Sequence, residues 1–191
     1  MTTKPDSREK ILQTASRLFQ LQGYHATGLN QIIKESGSPK GSLYHYFPNG
    51  KEELAVEAVT YTGKYIQAKL QDTLEQIADP LEAIQLFIRE TANQFDHPDS
   101  IEGIPVGLLA SETALISEPL RIACMKAFTS WETTIADKLI RCGYAKEEAH
   151  QFGMLMNTMI GGGIMLSLTN ADKTPLLLLA EKIPVLLEKK G

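Results

Sequence analysis

Between Thr27 and Phe47 the chain reads TGLNQIIKESGSPKGSLYHYF, two short segments of helical periodicity divided by Gly37. Leu29, Ile32 and Ile33 form the apolar stripe of the first, with Thr27 placed to cap its start. Gly37 supplies the left-handed residue that stops it. The second segment opens on Ser38 as N-cap and Pro39 at the first helical position, where a missing N–H is no loss. This punctuation commits the region to short helices joined by a tight turn.

At about 100° per residue, Leu43, Phe47, Pro39 and Tyr46 share one side of the second helix, facing the helices before it. Gly41, Ser42, Tyr44 and His45 share the other, with the glycine at its centre. A helix pressed into a major groove needs a small residue where its axis comes closest and hydrogen-bonding side chains on the flanks. Lys40, at the helix start on a long stem, suits a phosphate better than a base edge. The stretch therefore reads as a helix-turn-helix that binds DNA. The competing reading is a solvated helix over an aromatic core, but Tyr44 and His45 are poor choices for a merely wet face. Gly41 would also lower helix propensity without a structural return.

The net charge of −4 taken alone argues against a nucleic-acid partner. The average conceals an asymmetry: residues 1–50 hold six basic and three acidic side chains, or +3, and the remainder therefore carries −7. Such a charge distribution favours approach to a polyanion in one orientation. Cys124 and Cys142 are too few for a disulfide framework and read as small buried hydrophobes. The polar start MTTKPDSREK lacks the apolar core of a signal peptide, so a cytoplasmic protein is expected. The most apolar run, Gly153 to Leu168, is interrupted by polar residues and falls short of the ~20 apolar residues of a membrane-spanning helix. No membrane association is expected.

Around the reader the pattern is helical throughout, without a convincing strand. A first helix from Ser7, capped by Asp6 or Ser7, carries Ile11, Leu12, Ala15, Leu18 and Phe19 on one face and ends at Gly23. After Pro48-Asn49-Gly50 a helix should run from Lys51 towards Ala78. Asp79-Pro80 caps another, and HPDSIEGIP (97–105) reads as a loop. There His97 beside Asp96 and Asp99 reads as a solvated turn, since no second cluster supports a metal. A short helix is expected over Leu108 to Ile116, a long one from Ser117-Glu118-Pro119 to Cys142, and another over Ala145 to Thr169. The last starts at Lys173-Thr174-Pro175 and should bend or break at Pro184. Gly161, Gly162 and Gly163 inside the penultimate helix would each lose roughly 1 kcal/mol relative to alanine unless close packing compensates.

The segment from Arg8 to Leu54 resembles the N-terminal domain of the TetR family of transcriptional repressors. The matching pieces are the Ala15–Phe19 helix, Gly23-Tyr24, Thr27, Ile32-Ile33, Gly37, Lys40-Gly41, Leu43-Tyr44, Phe47, and Lys51 followed by Glu53-Leu54. The Phe47-Pro48-Asn49-Gly50-Lys51 turn and the Gly103-Ile104-Pro105-Val106-Gly107 stretch are similar to the LmrA/YxaF-like subgroup. The resemblance implies an all-α chain. A three-helix DNA-binding domain would occupy 1–50, and a helical effector-binding and dimerisation domain 51–191. It further implies a homodimer on a palindromic double-stranded operator, released by a small aromatic effector; in this subgroup flavonoids play that part. No cofactor is implied.

Carried over by position, DNA contacts would fall on Thr27, Lys40, Gly41, Ser42, Tyr44, His45, Tyr46 and Lys51, although the helical wheel turns Tyr46 inward. The sequence departs from the common pattern at Ser38-Pro39, and its linker to Lys51 is one residue longer, which should move Lys51 relative to the groove. The implied effector cavity is assigned to Phe87, Phe95, Met125, Phe128, Trp131 and Met154. The last two long helices would form a four-helix bundle with their copies. Two other classes compete. An enzyme finds no support in phosphate-cradling loops, nucleophile elbows or zinc spacings. A helical small-molecule-binding protein without sequence-specific DNA binding keeps the body and dispenses with the reader.

Overall fold

The computed structural model describes residues 7–96 and 105–186. Among these the chain is all-α, with helices α1 (Ser7–Ala26), α2 (Leu29–Ser36), α3 (Lys40–Tyr46), α4 (Lys51–Gln76), α5 (Pro80–Asn93), α6 (Pro105–Thr113), α7 (Glu118–Arg141), α8 (Lys146–Asn170) and α9 (Thr174–Leu186). A single 3-10 turn, Gln94–Asp96, follows α5. Asp6, residues 97–104 of the loop expected over 97–105, and the last five residues lie outside the described residues.

The described residues divide into two compact units, one comprising 7–65 and 105–127, the other 66–96 and 128–186. In the first, α1 packs along α2, α3 and α6. Its core is built from the apolar stripe of α1 (Ile11, Leu12, Leu18, Phe19), with Ile32, Leu43, Phe47, Leu54 and Leu109 closing over it. Ends of its elements are tied by charge. Arg8 pairs with Glu57 and lies over the Phe47 ring at 5.5 Å. Ser117 accepts from the Leu120 N–H at 3.3 Å as the cap of α7 while donating to Glu52 at 2.6 Å.

The second unit centres on α5, α8 and α9, with Ile84, Ile88, Ile135, Leu139, Met156, Leu176 and Ile183 at its heart. Asp79 Oδ1 accepts from the N–H groups of Leu81 and Glu82, both at 2.9 Å, in front of the expected first-turn proline. Lys138 is buried and places its ammonium on the Ile77 carbonyl at 2.6 Å, a cation on the orphan carbonyls just past the end of α4.

The four glycines of α8 do different things. Gly163 faces α9, where a Cβ would come within 2.8 Å of Leu176 Cδ2, and Gly153 faces α7, where one would meet the Glu132 carbonyl at 2.4 Å. Gly161 and Gly162 instead point outward, and a Cβ there meets nothing within 4 Å. Close packing within the chain thus compensates only Gly163 of the triplet.

Several expectations need correction. Cys142 is exposed, its thiol 3.6 Å from the Ala78 carbonyl; only Cys124 is buried. The short helix spans Pro105–Thr113 rather than 108–116. Helix α9 continues through Pro184 to Leu186 without breaking. By length and composition α8 is apolar enough to cross a membrane (mean hydropathy 1.3). Its inner residues Ala149, Gly153, Met156, Gly163 and Ser167 are nevertheless buried against protein.

Candidate nucleic-acid interface

Helix α3 presents the face that its sequence requires. Leu43 and Phe47 are fully buried, whereas Lys40, Gly41, Tyr44 and His45 are exposed and Ser42 is half-buried. A Cβ on Gly41 would meet nothing within 4 Å, so the centre of the outward face is open down to the backbone. Tyr46 lies at the margin, half-buried, with its ring edge-on to His45 at 5.0 Å. Inward and outward assignments are thus both partly realised there.

The start of α3 differs by one residue from expectation. The helix begins at Lys40, Pro39 occupies the cap position, and its carbonyl accepts the Ser42 N–H at 2.9 Å. The Ser38 hydroxyl is buried, finds no hydrogen-bond partner among the described residues and caps no helix. Proline fixes the entry angle of the chain, which leaves serine outside the first turn.

Thr27 also departs from its assignment. Gly28, not Thr27, is the N-cap of α2. The Thr27 side chain is fully buried and its hydroxyl donates to the carbonyls of Gly23 at 2.8 Å and Leu18 at 3.2 Å. It fastens the end of α1 to the start of α2 and offers no oxygen outward.

Lys51, at the first position of α4, is half-buried. Its Nζ lies over the Tyr24 ring at 4.5 Å and donates to the His25 carbonyl at 3.4 Å. Burial pushes its pKa below the ordinary lysine value, opposed by the charge of Glu112. Lys51 is thus engaged with the α1–α2 turn. On α2, the sole acid Glu35 accepts a hydrogen bond from the Gln31 amide at 2.9 Å and pairs with Arg17 at 2.5 Å. The Gln31 hydrogen bond first, then Arg17, holds its carboxyl below the usual range.

Of the six residues assigned to an effector cavity, Met125 lies in the first unit and the other five in the second. Phe87 is buried in the second unit's core, and Phe95 and Trp131 pack against that core. Phe128 meets Trp131 edge to face at 5.5 Å. Met154 is 60 % exposed on the outer side of α8, because its helical position falls opposite Met156, and Met125 is 48 % exposed in the first unit. Among the described residues no three His, Cys, Asp or Glu side chains come together as a metal site.

One long-range contact beside this site has no signal in the sequence. Glu112 of α6 accepts the His25 N–H at 3.1 Å, across 87 positions of chain.

Residues 11–58 match the family described as bacterial regulatory proteins, tetR family, and residues 80–182 match the C-terminal domain of LmrA/YxaF-like transcriptional regulators. The chain is 72 % identical over 191 residues, the full length of both proteins, to the uncharacterized HTH-type transcriptional regulator YxaF of Bacillus subtilis. It is 54 % identical over 184 residues to the HTH-type transcriptional regulator LmrA of the same organism, covering 96 % of this chain and 98 % of that one. Its fold matches that of the TetR family regulator CifR, solved as a cysteine mutant with a 26-base-pair operator, with a TM-score of 0.78, 21 % identity, and coverage of 96 % and 97 %. With both family models matched and relatives aligned over nearly the whole chain, this chain belongs to the TetR family, in its LmrA/YxaF-like branch, and is a helix-turn-helix transcriptional regulator.

Proposed function

We propose that the protein is a repressor that binds a palindromic operator as a homodimer and leaves it when a small planar aromatic molecule binds. Residues 1–50 read DNA and 51–191 bind effector and dimerise, in the cytoplasm where the DNA is. The observation that carries the reading is the outward face of α3, open at Gly41 and flanked by Tyr44, His45 and Ser42, with Lys40 at its edge. Thr27 and Lys51 act within this scheme by setting the turn that presents α2 and α3, and Tyr46 flanks the face.

The dimer reading is supported by the outer side of α8 and α9. Met154, Leu155, Met165, Leu166 and Leu168 are exposed on α8, around the two outward glycines, and Leu177, Leu178 and Val185 on α9. No charged residue interrupts α8 between His150 and Asn170. An apolar surface of this extent calls for a partner, and isologous packing of two helix pairs is the simplest closure. For the effector, Phe87, Phe95, Phe128 and Trp131 are the aromatic groups to be reached, and flavonoids are the first class to try.

The test is selection from a random duplex pool by the full-length protein. A palindromic site bound with steep salt dependence is expected, followed by release from it on titrating flavonoids and other planar aromatics. Weak, sequence-independent retention would remove the repressor reading and leave the helical ligand-binding alternative. An effector must bind the DNA-free shape more tightly than the DNA-bound one, since equal affinity shifts nothing.

A further inference from the structure

Gly23 interrupts α1 with a left-handed φ of 79°, the conformation that lets the chain turn toward α2. Directly over that glycine sits the Glu112 carboxylate. A Cβ built at position 23 would fall into it, so the notch left by the missing side chain is filled from α6. The same carboxylate accepts the His25 N–H through Oε2 at 3.1 Å. From the other side the Lys51 ammonium donates to the His25 carbonyl at 3.4 Å. The Gly23–His25 turn is thus held by an acid from α6 on its N–H and a base from α4 on its C=O. Its far end is fixed inward by the Thr27 hydroxyl on the Gly23 carbonyl, immediately before α2.

The chain just after α6 is tied down too, since Ser117 donates to Glu52 in the first turn of α4. Movement at the end of α6 would therefore strain both the turn that leads into α2 and the start of α4. Packing along α1 alone could slide; a carboxylate seated in a glycine notch has one register.

We propose that Glu112 is the positioning residue that latches the reader to α6, acting through its hydrogen bond to the His25 N–H. This rests on the DNA-binding reading above. By linkage, an element that biases the reader is biased equally by whatever the reader binds. Operator binding must therefore be felt at α6.

The test uses the full-length protein, the duplex it selects from a random pool, and amide hydrogen exchange, with two conservative variants. Glu112→Gln keeps the reach and an accepting oxygen but loses the charge beside Lys51; Glu112→Asp keeps the charge but withdraws the carboxylate by about one carbon–carbon bond. The wild type should show slowed exchange across α6 on binding the duplex. Glu112→Gln should retain both that slowing and the affinity. Glu112→Asp should lose the slowing, show faster His25 exchange when free, and bind the duplex at least about 5-fold more weakly. The reverse order would show that charge, not the hydrogen bond, matters and overturns the latch, as would wild-type behaviour of both variants or uncoupling of both. Failure of the wild type to select any duplex would fell the DNA reading itself, a result distinct from all of these.

Discussion

Gly41 on α3 and the Gly161-Gly162 pair on α8 are the same device set in different surroundings. Each lies in a helix at a point where a Cβ would meet nothing, so none is required by packing within the chain. Around Gly41 stand a lysine, a serine, a tyrosine and a histidine; around Gly161 and Gly162 stand methionines and leucines. Gly153 and Gly163, by contrast, sit where neighbouring helices leave no room. These helical glycines thus divide into two kinds, one spoken for inside the fold and one facing open space. On the reading proposed above, the flanking chemistry sets the partner: a polyanion at Gly41, another apolar helix at Gly161 and Gly162.

The largest expected effect comes from placing a charge in the apolar setting. Gly162→Glu should leave the protomer folded, since space is available, but convert dimer to monomer in sedimentation. Loss of paired half-site binding should then weaken operator affinity by about 100-fold or more. A dimer that tolerates the charge would show that this stripe does not meet its copy.

The polar setting is probed next. Tyr44→Ala and His45→Ala should each lower discrimination between the selected duplex and singly substituted ones by about 1–3 kcal/mol, with thermal midpoints unchanged. Gly41→Ala should leave stability equal or up to about 1 kcal/mol higher while weakening operator binding. Reduced stability would mean that the glycine serves the fold after all. Lys40→Ala should weaken binding almost equally for all duplexes and reduce the salt slope by about one; a sequence-selective loss would move Lys40 from phosphate to base edge.

The smallest effect is chemical. Burial pushes the Cys124 thiol up to about 11, so near pH 8 it is almost wholly protonated and enclosed, whereas Cys142 is exposed. Native protein should take up one equivalent of thiol reagent per chain quickly, at Cys142, and the second only on unfolding. Rapid labelling of both would contradict the burial of α7.

Local chemistry was legible where a residue's role is settled by its neighbours in sequence. Asp79-Pro80 caps α5, Ser117 caps α7, Gly37 ends α2 in the left-handed region, and the wheel of α3 places Leu43 inward and Tyr44 outward. Roles settled by distant chain were not. Thr27 turns inward because carbonyls of α1 lie beneath it, a fact about how α1 bends at Gly23. The glycines of α8 separate into inner and outer kinds only once α9 lies along one side. Glu112 sits in a nine-residue helix whose boundaries periodicity misplaced, and its partner is 87 positions away.

The notch at Gly23 bears on how such a sequence can change over time. Any L residue there meets two obstacles at once, a backbone in the left-handed region and a carboxylate where its Cβ must go. Shortening residue 112 removes the second obstacle but leaves the His25 N–H without its acceptor. The backbone obstacle stands whatever residue 112 is, so regulators of this kind should keep the glycine even where position 112 changes.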